Sequence, residues 1–163
     1  MIYKYYLSLG SNIAPRELYM RQAMAELESF GAVIKKSAIY ESEPWGRKNQ
    51  SKFLNAVIFF QSWLNPFELL ISIKHLEKSI GRKKRLRWGP REIDIDIIFC
   101  ENITIQHHSL KIPHENFQKR KFVLLPMMEL DKNYPIDGTE STIESVFNRC
   151  KDLTNIKQVS MNW

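Results

Sequence analysis

FLNAVIFFQSW, residues Phe53–Trp63, runs directly into LNPFELLISIKHLEKSIG, residues Leu64–Gly81, and this stretch decides the fold. The first part is dense in aromatic and β-branched residues and reads as a strand. Asn65 then caps a helix, with Pro66 at the first helical position and Glu68 three residues after the cap. Leu69, Leu70, Ile73, Leu76 and Ile80 give that helix an apolar stripe, and Gly81 ends it. A basic loop over 82–91 leads to another strand at about 92–99. Upstream, residues 2–9 read as a strand broken by Gly10-Ser11-Asn12. Pro15 suits the first turn of a helix over about 15–29, with Leu18, Ala23, Ala25 and Leu27 in its pattern. Gly31 is expected to close that helix in the left-handed conformation. Residues 33–41 form a second strand, followed by a polar loop from Pro44 to Lys52. The order β-α-β-β-α-β predicts an α+β, ferredoxin-like fold: an antiparallel sheet with two helices on one face. A C-terminal extension adds a hairpin strand near 102–106 and a helix at about 117–130 bent at Pro126. A last helix over about 142–150 follows Ser141, with Glu144 completing a capping box. No repeat or linker interrupts the chain, so one domain is expected over 1–163.

The bulk properties are those of an ordinary globule: 163 residues, 44% hydrophobic and 26% charged. That length can bury one core without staples. The net charge of +6 is concentrated in 82–91, which favours an anionic ligand. Cys100 and Cys150 are too few for a disulfide framework and lack the neighbours of a zinc site. The start, Met1-Ile2-Tyr3-Lys4, has no signal-peptide pattern, and no apolar run reaches membrane length. A cytoplasmic protein with no membrane partner is expected, with monomer as the default.

The chemistry concentrates in Arg87-Trp88-Gly89-Pro90-Arg91-Glu92-Ile93-Asp94-Ile95-Asp96-Ile97. The alternation from Ile93 to Ile97 puts the isoleucines on one face of a strand and Asp94 and Asp96 on the other. Carboxylates at that spacing, roughly 6.5–7 Å along the chain, repel unless a cation sits between them. Hard divalent cations take carboxylate oxygens and arrive with phosphates. Arginine suits bidentate phosphate binding. An Asp-x-Asp on a strand is ordinarily a solvated face, although Asp is depleted in strands. The basic run Lys78, Arg82, Lys83, Lys84, Arg85, Arg87 and Arg91 is by itself equally suited to a nucleic acid. Residues alone thus leave two readings: metal-assisted chemistry on a nucleotide, or a solvated basic surface.

RWGPREIDIDII resembles the signature of the 6-hydroxymethyl-7,8-dihydropterin pyrophosphokinases of folate biosynthesis. Three further segments match in order: Gly10-Ser11-Asn12; Glu43-Pro44-Trp45-Gly46 with Phe53-Leu54-Asn55-Ala56; and Pro113-His114 with Arg120 and Phe122. The resemblance runs from about Tyr5 to about Leu130. It implies transfer of diphosphate from ATP to the hydroxymethyl group of the pterin, releasing AMP, with two Mg²⁺ ions. Asp94 and Asp96 would be the metal ligands, and Arg82, Arg91 and Asp96 the catalytic set. The ATP site would draw on Leu70, Glu77, Arg82, Lys84, Arg87, Trp88, Arg91, Ile97, Lys111, His114 and Arg120. The pterin site would draw on Pro44, Trp45, Gly46, Phe53, Asn55, Trp88, Asp94 and Phe122.

A flat pterin suits stacking on rings and reading by an amide. Asn55 in an apolar strand hints at such a purpose. The loops 44–52 and 82–91 are the expected lids, excluding water from ATP. Lys84 stands where arginine is common in the family, and Phe53 where tyrosine occurs. Ser109 and Lys111 replace Arg and Thr, and Glu43 stands where some members have proline. His75, His107 and His108 match nothing and are expected on the surface. The competing readings are a nucleic-acid-binding domain and a catalytically dead small-molecule sensor. Acidic residues on a central strand oppose the first, and retention of Asp94, Asp96, Arg91 and His114 opposes the second.

Overall fold

The computed structural model describes residues 1–46, 49–85, 88–160 and 163, with Ser160 by its backbone alone. Five strands and two helices build the first part of the chain: β1 (Tyr3–Ser11), α1 (Arg16–Leu27), β2 (Gly31–Lys36), β3 (Ile39–Ser42), β4 (Phe53–Ser62), α2 (Pro66–Ser79) and β5 (Asp94–Cys100). The rest adds a small hairpin of β6 (Ile105–Gln106) and β7 (Lys111–Ile112), then α3 (Lys121–Asp131), α4 (Ile143–Arg149) and β8 (Ile156–Ser160). The main sheet runs β5-β1-β4-β3-β8, with β2 also on β4, and every pairing is antiparallel. The expected second strand is thus two pieces, both on β4. Between them Ser37 bonds Val57 with its amide N–H (2.9 Å) and accepts the Val57 N–H on its hydroxyl (3.0 Å).

Alternation along the strands gives the sheet two buried faces. Tyr5, Leu7, Leu9, Ile58, Phe60, Ile95 and Ile97 pack with Met20, Ala23 and Leu27 of α1 and Leu69, Ile73 and Leu76 of α2. Tyr6, Val57, Ile98 and Phe99 pack with Val123, Leu124 and Met127 of α3 and Ile143 and Val146 of α4. The result is a three-layer arrangement. Two helices cover one face as expected; the covering of the second face by the tail was not foreseen.

Several local expectations change. The α2 capping box is present: Asn65 Oδ1 accepts from Phe67 N and Glu68 N, and Glu68 returns the bond to Asn65 N. Gly31, by contrast, does not close α1 in the left-handed region; its φ of 171° is extended, and it opens β2. A Cβ there would lie 2.1 Å from the Gln61 carbonyl oxygen, so close strand approach explains the glycine. In α1 the buried positions are Met20, Ala23 and Leu27, whereas Leu18 is exposed. The cap of α4 is Thr142 with Ser145, one residue beyond the predicted Ser141 and Glu144. The segment 117–131 is a 3-10 turn followed by α3, with Pro126 inside the helix. The hairpin strand lies at Ile105–Gln106.

Candidate active site

The site is built where β5, β1 and β4 run side by side. In the β5–β1 register Asp94 lies opposite Gly10 and Asp96 opposite Ser8, and in the β1–β4 register Gly10 lies opposite Asn55. Two small residues therefore separate the carboxylates from the amide, and the lack of a side chain at Gly10 leaves an open floor. Adjacent strands are about 4.8 Å apart, so Asp94 and Asn55 stand roughly 10 Å from each other across it. Ile95 and Ile97 of β5 are buried on the opposite face, as alternation requires, while the Asp94 and Asp96 side chains remain 22% and 30% exposed.

Above this floor is a cavity of about 190 Å³. Of the predicted residues, Trp45, Phe53, Asn55, Trp88, Arg91, Asp94, Asp96, His114, Arg120 and Phe122 line it. Leu70, Ile97 and Lys111 line an adjoining cleft, which shares Asp96 and His114 with the first. Glu77, Arg82 and Lys84 line a basic groove that shares Arg91. Pro44 and Gly46 line a separate cleft on the outer side of Trp45. Arg87 lies outside the described residues. Both carboxylates thus line the cavity, Asp96 also borders the adjoining cleft, and the basic groove meets the cavity at Arg91.

Each carboxylate is held by guanidinium groups. Asp94 accepts from Arg82 Nη1 at 2.7 Å and from Arg91 Nη1. Burial works to raise the Asp94 carboxyl, but Arg91 and then Arg82 hold it below the usual carboxylate range. Arg82 Nη1 also lies 2.6 Å from Glu77 Oε2, and Glu77 accepts the Ile95 N–H at 2.8 Å. Glu77 therefore ties α2 to β5 and fixes the arginine. Asp96 Oδ2 is 3.3 Å from Arg120 Nη1 and 3.8 Å from His114 Nε2. Burial lowers the His114 pKa, with Arg120 adding to the effect and Asp96 opposing it. The Arg120 guanidinium lies 5.2 Å from the Trp45 ring and 5.7 Å from the Phe122 ring, distances suited to cation–π attraction. Its Nε is buried with no hydrogen-bond partner among the described residues.

On the other wall the Asn55 amide is steered by Ser42 Oγ, which accepts from Asn55 Nδ2 at 2.9 Å. Trp45 and Trp88 meet edge to face, their centroids 6.1 Å apart. Trp88 has φ near 60°, an unusual conformation for an aromatic residue and one that surrounding contacts must hold. Asn12 organises these loops. Its Oδ1 accepts from Arg91 N at 2.7 Å, and its Nδ2 donates to Gln50 Oε1 and the Ser51 carbonyl at 3.1 Å. Gln50 Nε2 in turn donates to the Trp88 carbonyl at 3.0 Å. Sequence reasoning missed Gln50, Ser8, Ser42 and Gly89 in the lining. A polar loop residue and small strand residues carry no pattern that would mark them. His75, His107 and His108 are exposed as expected, though His108 borders the cleft with Lys111.

Among the described residues no three His, Cys, Asp or Glu side chains cluster as a metal cage. Asp94 and Asp96 are nevertheless the donor set that a hard cation bringing phosphate and water ligands of its own requires, so the residues fit magnesium.

Comparison with known proteins accords with this geometry. A family model described as 7,8-dihydro-6-hydroxymethylpterin-pyrophosphokinase (HPPK) matches residues 6–132. The 2-amino-4-hydroxy-6-hydroxymethyldihydropteridine pyrophosphokinase of Aquifex aeolicus is 46% identical over 128 residues, covering 78% of this chain and 80% of that protein. The Bacillus subtilis protein of the same name is 41% identical, covering 83% of each. The HPPK-DHPS of Plasmodium falciparum, crystallised with pterin and p-hydroxybenzoate, shares the fold with a TM-score of 0.72 at 16% identity, over 91% of this chain and 42% of that one. The chain belongs to the 7,8-dihydro-6-hydroxymethylpterin-pyrophosphokinase family.

Proposed function

We propose that this protein transfers diphosphate from ATP to the hydroxymethyl group of 6-hydroxymethyl-7,8-dihydropterin, giving the pterin diphosphate and AMP in folate biosynthesis. The observation that carries this reading is the arrangement around Asp94 and Asp96. An aromatic, amide-lined cavity holds both carboxylates, a cleft with Lys111 and His114 shares Asp96 with it, and a basic groove with Arg82 and Lys84 shares Arg91, which holds Asp94. The pterin lies over Gly10, stacked near Phe122 and Trp45, with its polar edge read by Asn55. The nucleotide occupies the clefts of Leu70, Ile97, Lys111, His114 and Glu77, its phosphates met by Arg82, Arg91, Arg120 and Lys84. The hydroxymethyl oxygen attacks the β-phosphorus in line, and the bond to the α-phosphate oxygen breaks to release AMP. Such transfers depend on positioning and charge neutralisation. Arg91 and Arg120 stand where charge builds on the transferred group. Two Mg²⁺ ions, held by Asp94 and Asp96, would supply further charge neutralisation and acidify the attacking hydroxyl.

We also read the core as ferredoxin-like, on the strength of its β-α-β-β-α-β order and the β5-β1-β4-β3 neighbours. The whole chain is taken to be one monomeric unit working in the cytoplasm. No helix of the described residues is long and apolar enough to cross a membrane.

The test is AMP release from Mg²⁺-ATP with and without the pterin, for the native chain and Asp96→Ala. Pterin-dependent AMP is expected, abolished by chelation and reduced at least about 100-fold in the variant. ADP as the product would mean ordinary phosphoryl transfer. No nucleotide product from folded protein would overturn the enzyme reading in favour of nucleic-acid binding.

A further inference from the structure

The family match ends at residue 132, yet the tail beyond it reaches both walls of the cavity from behind. α3 starts immediately after Arg120, whose side chain makes no capping hydrogen bond. The first amide of a helix lacks an internal partner. Here Asp152 provides one: its Oδ2 accepts from Lys121 N at 3.0 Å. Its Oδ1 accepts from Thr154 N at 2.9 Å and from the Thr154 hydroxyl, so both carboxylate oxygens are engaged. Partial burial works to raise this carboxyl, but the Thr154 and Lys121 donors keep it below the ordinary range. The positive end of the α3 dipole also favours an anion at this place.

Lys121 lies between Arg120 and Phe122, so the capped amide is one residue from each. Arg120 itself is extended, with φ −118° and ψ 92°, and the point at which α3 begins sets the direction of both side chains. A few residues later the tail joins the sheet. Ile156 of β8 lies opposite Ser42 of β3, and Lys157 opposite Glu41, just before the turn that carries Trp45. The segment 152–157 thus links the two walls that meet where Arg120 faces the Trp45 and Phe122 rings.

We propose that Asp152 is a positioning residue for pterin binding: it caps α3 from the C-terminal tail and thereby sets where Arg120 and Phe122 stand. This rests on the placement of the pterin beside Phe122 argued above. The test compares pterin KM, kcat and thermal midpoint for Asp152→Ala, Asp152→Asn, Phe122→Ala and Leu27→Val, assayed well below every midpoint. Leu27 is buried on the opposite face of the sheet, and its truncation lowers stability without touching the tail. Asp152→Ala is expected to raise pterin KM about fivefold, the factor that a typical lost cap represents. Asp152→Asn recovers part of this, because an amide oxygen still accepts from Lys121 N. Leu27→Val leaves KM unchanged.

Activity of Asp152→Ala that only tracks the folded fraction, with KM unchanged as in Leu27→Val, would make Asp152 an ordinary stabilising cap and overturn the proposal. A raised KM in Phe122→Ala with none in Asp152→Ala also overturns it while leaving the site reading intact. An unchanged KM in Phe122→Ala removes the pterin from that wall, and the proposal falls with the site reading. Should Asp152→Ala fail to fold, Thr154→Val removes one strut of the same carboxylate. It must then show a smaller KM rise in the same direction; no rise overturns the proposal.

Discussion

Asn12 is buried at the end of β1, and its side chain serves three partners on two loops: Arg91 N, Gln50 and the Ser51 carbonyl. Its backbone N–H adds a bond to the Arg91 carbonyl at 3.1 Å. Arg91 in turn holds Asp94, so the placement of a charged group in the site depends on a neutral amide one strand away. Truncation to Asn12→Ala would leave the Arg91 N–H without its acceptor, a loss of about 1–3 kcal/mol for a buried donor. The expected result is a lower urea midpoint at unchanged m-value, together with a lower kcat because Arg91 loses its anchor. An unchanged midpoint would show that solvent replaces Asn12 at no loss. The Gly10-Ser11-Asn12 motif marks this position in the sequence, but its physical task shows only when loops 49–51 and 88–91 are seen to converge on it.

At the scale of elements, legibility followed how local the determining physics is. The α2 start is local: Asn65, Pro66 and Glu68 specify their own geometry, and the capping box was readable. The β5 alternation is local too, since burial on one face imposes period two. Gly31 shows the opposite case. A glycine after a helical run reads as a helix stop, and nothing near it in sequence discloses that Gln61 passes within reach. Gly31→Ala would force a Cβ against the β4 backbone, 2.1 Å from the Gln61 carbonyl oxygen and 2.6 Å from Phe60 Cζ. A destabilisation of about 1–3 kcal/mol is expected from such overpacking, read as a lowered thermal midpoint. An unaffected midpoint would mean that β2 can leave β4 without penalty. β8 was missed for a related reason: Ile156–Val159 are half-exposed or exposed, and an edge strand without a buried face among its described residues has no alternation to read. The lining of the candidate site was legible where residue type carries chemistry, at Asp94, Asp96, Arg91 and Asn55. It was not legible where small or neutral residues shape the space, at Ser8, Ser42 and Gln50.

For the whole molecule, the basic residues Lys83 and Arg85 matter to stability, because a buried carboxylate holds them. Glu92 is almost fully buried and accepts a bidentate pair from Arg85, at 2.7 and 2.6 Å, plus the Lys83 N–H at 3.3 Å. Arg85 chiefly, aided by backbone donors and against the effect of burial, lowers the Glu92 pKa from its ordinary 4.5 to about 2. A carboxylate depressed in the folded state stabilises fully above its unfolded value. That contribution is lost as pH falls from about 4.5 toward 2. Depressed Asp94 and Asp152 act in the same direction. Burial of neutral His114 also favours the fold less once its unfolded form protonates. Acid further increases a net charge that is already +6, adding self-repulsion. Stability is therefore expected to fall steadily on the acid side. In Arg85→Ala, Glu92 loses its main partner, so the variant should be less stable at pH 7 but decline less steeply below pH 4.5, the two curves converging toward pH 2. Urea unfolding of both proteins at a series of pH values reads this directly. Parallel curves would show that the Glu92–Arg85 pair contributes nothing specific to acid sensitivity, and that the loop is held by its backbone contacts alone.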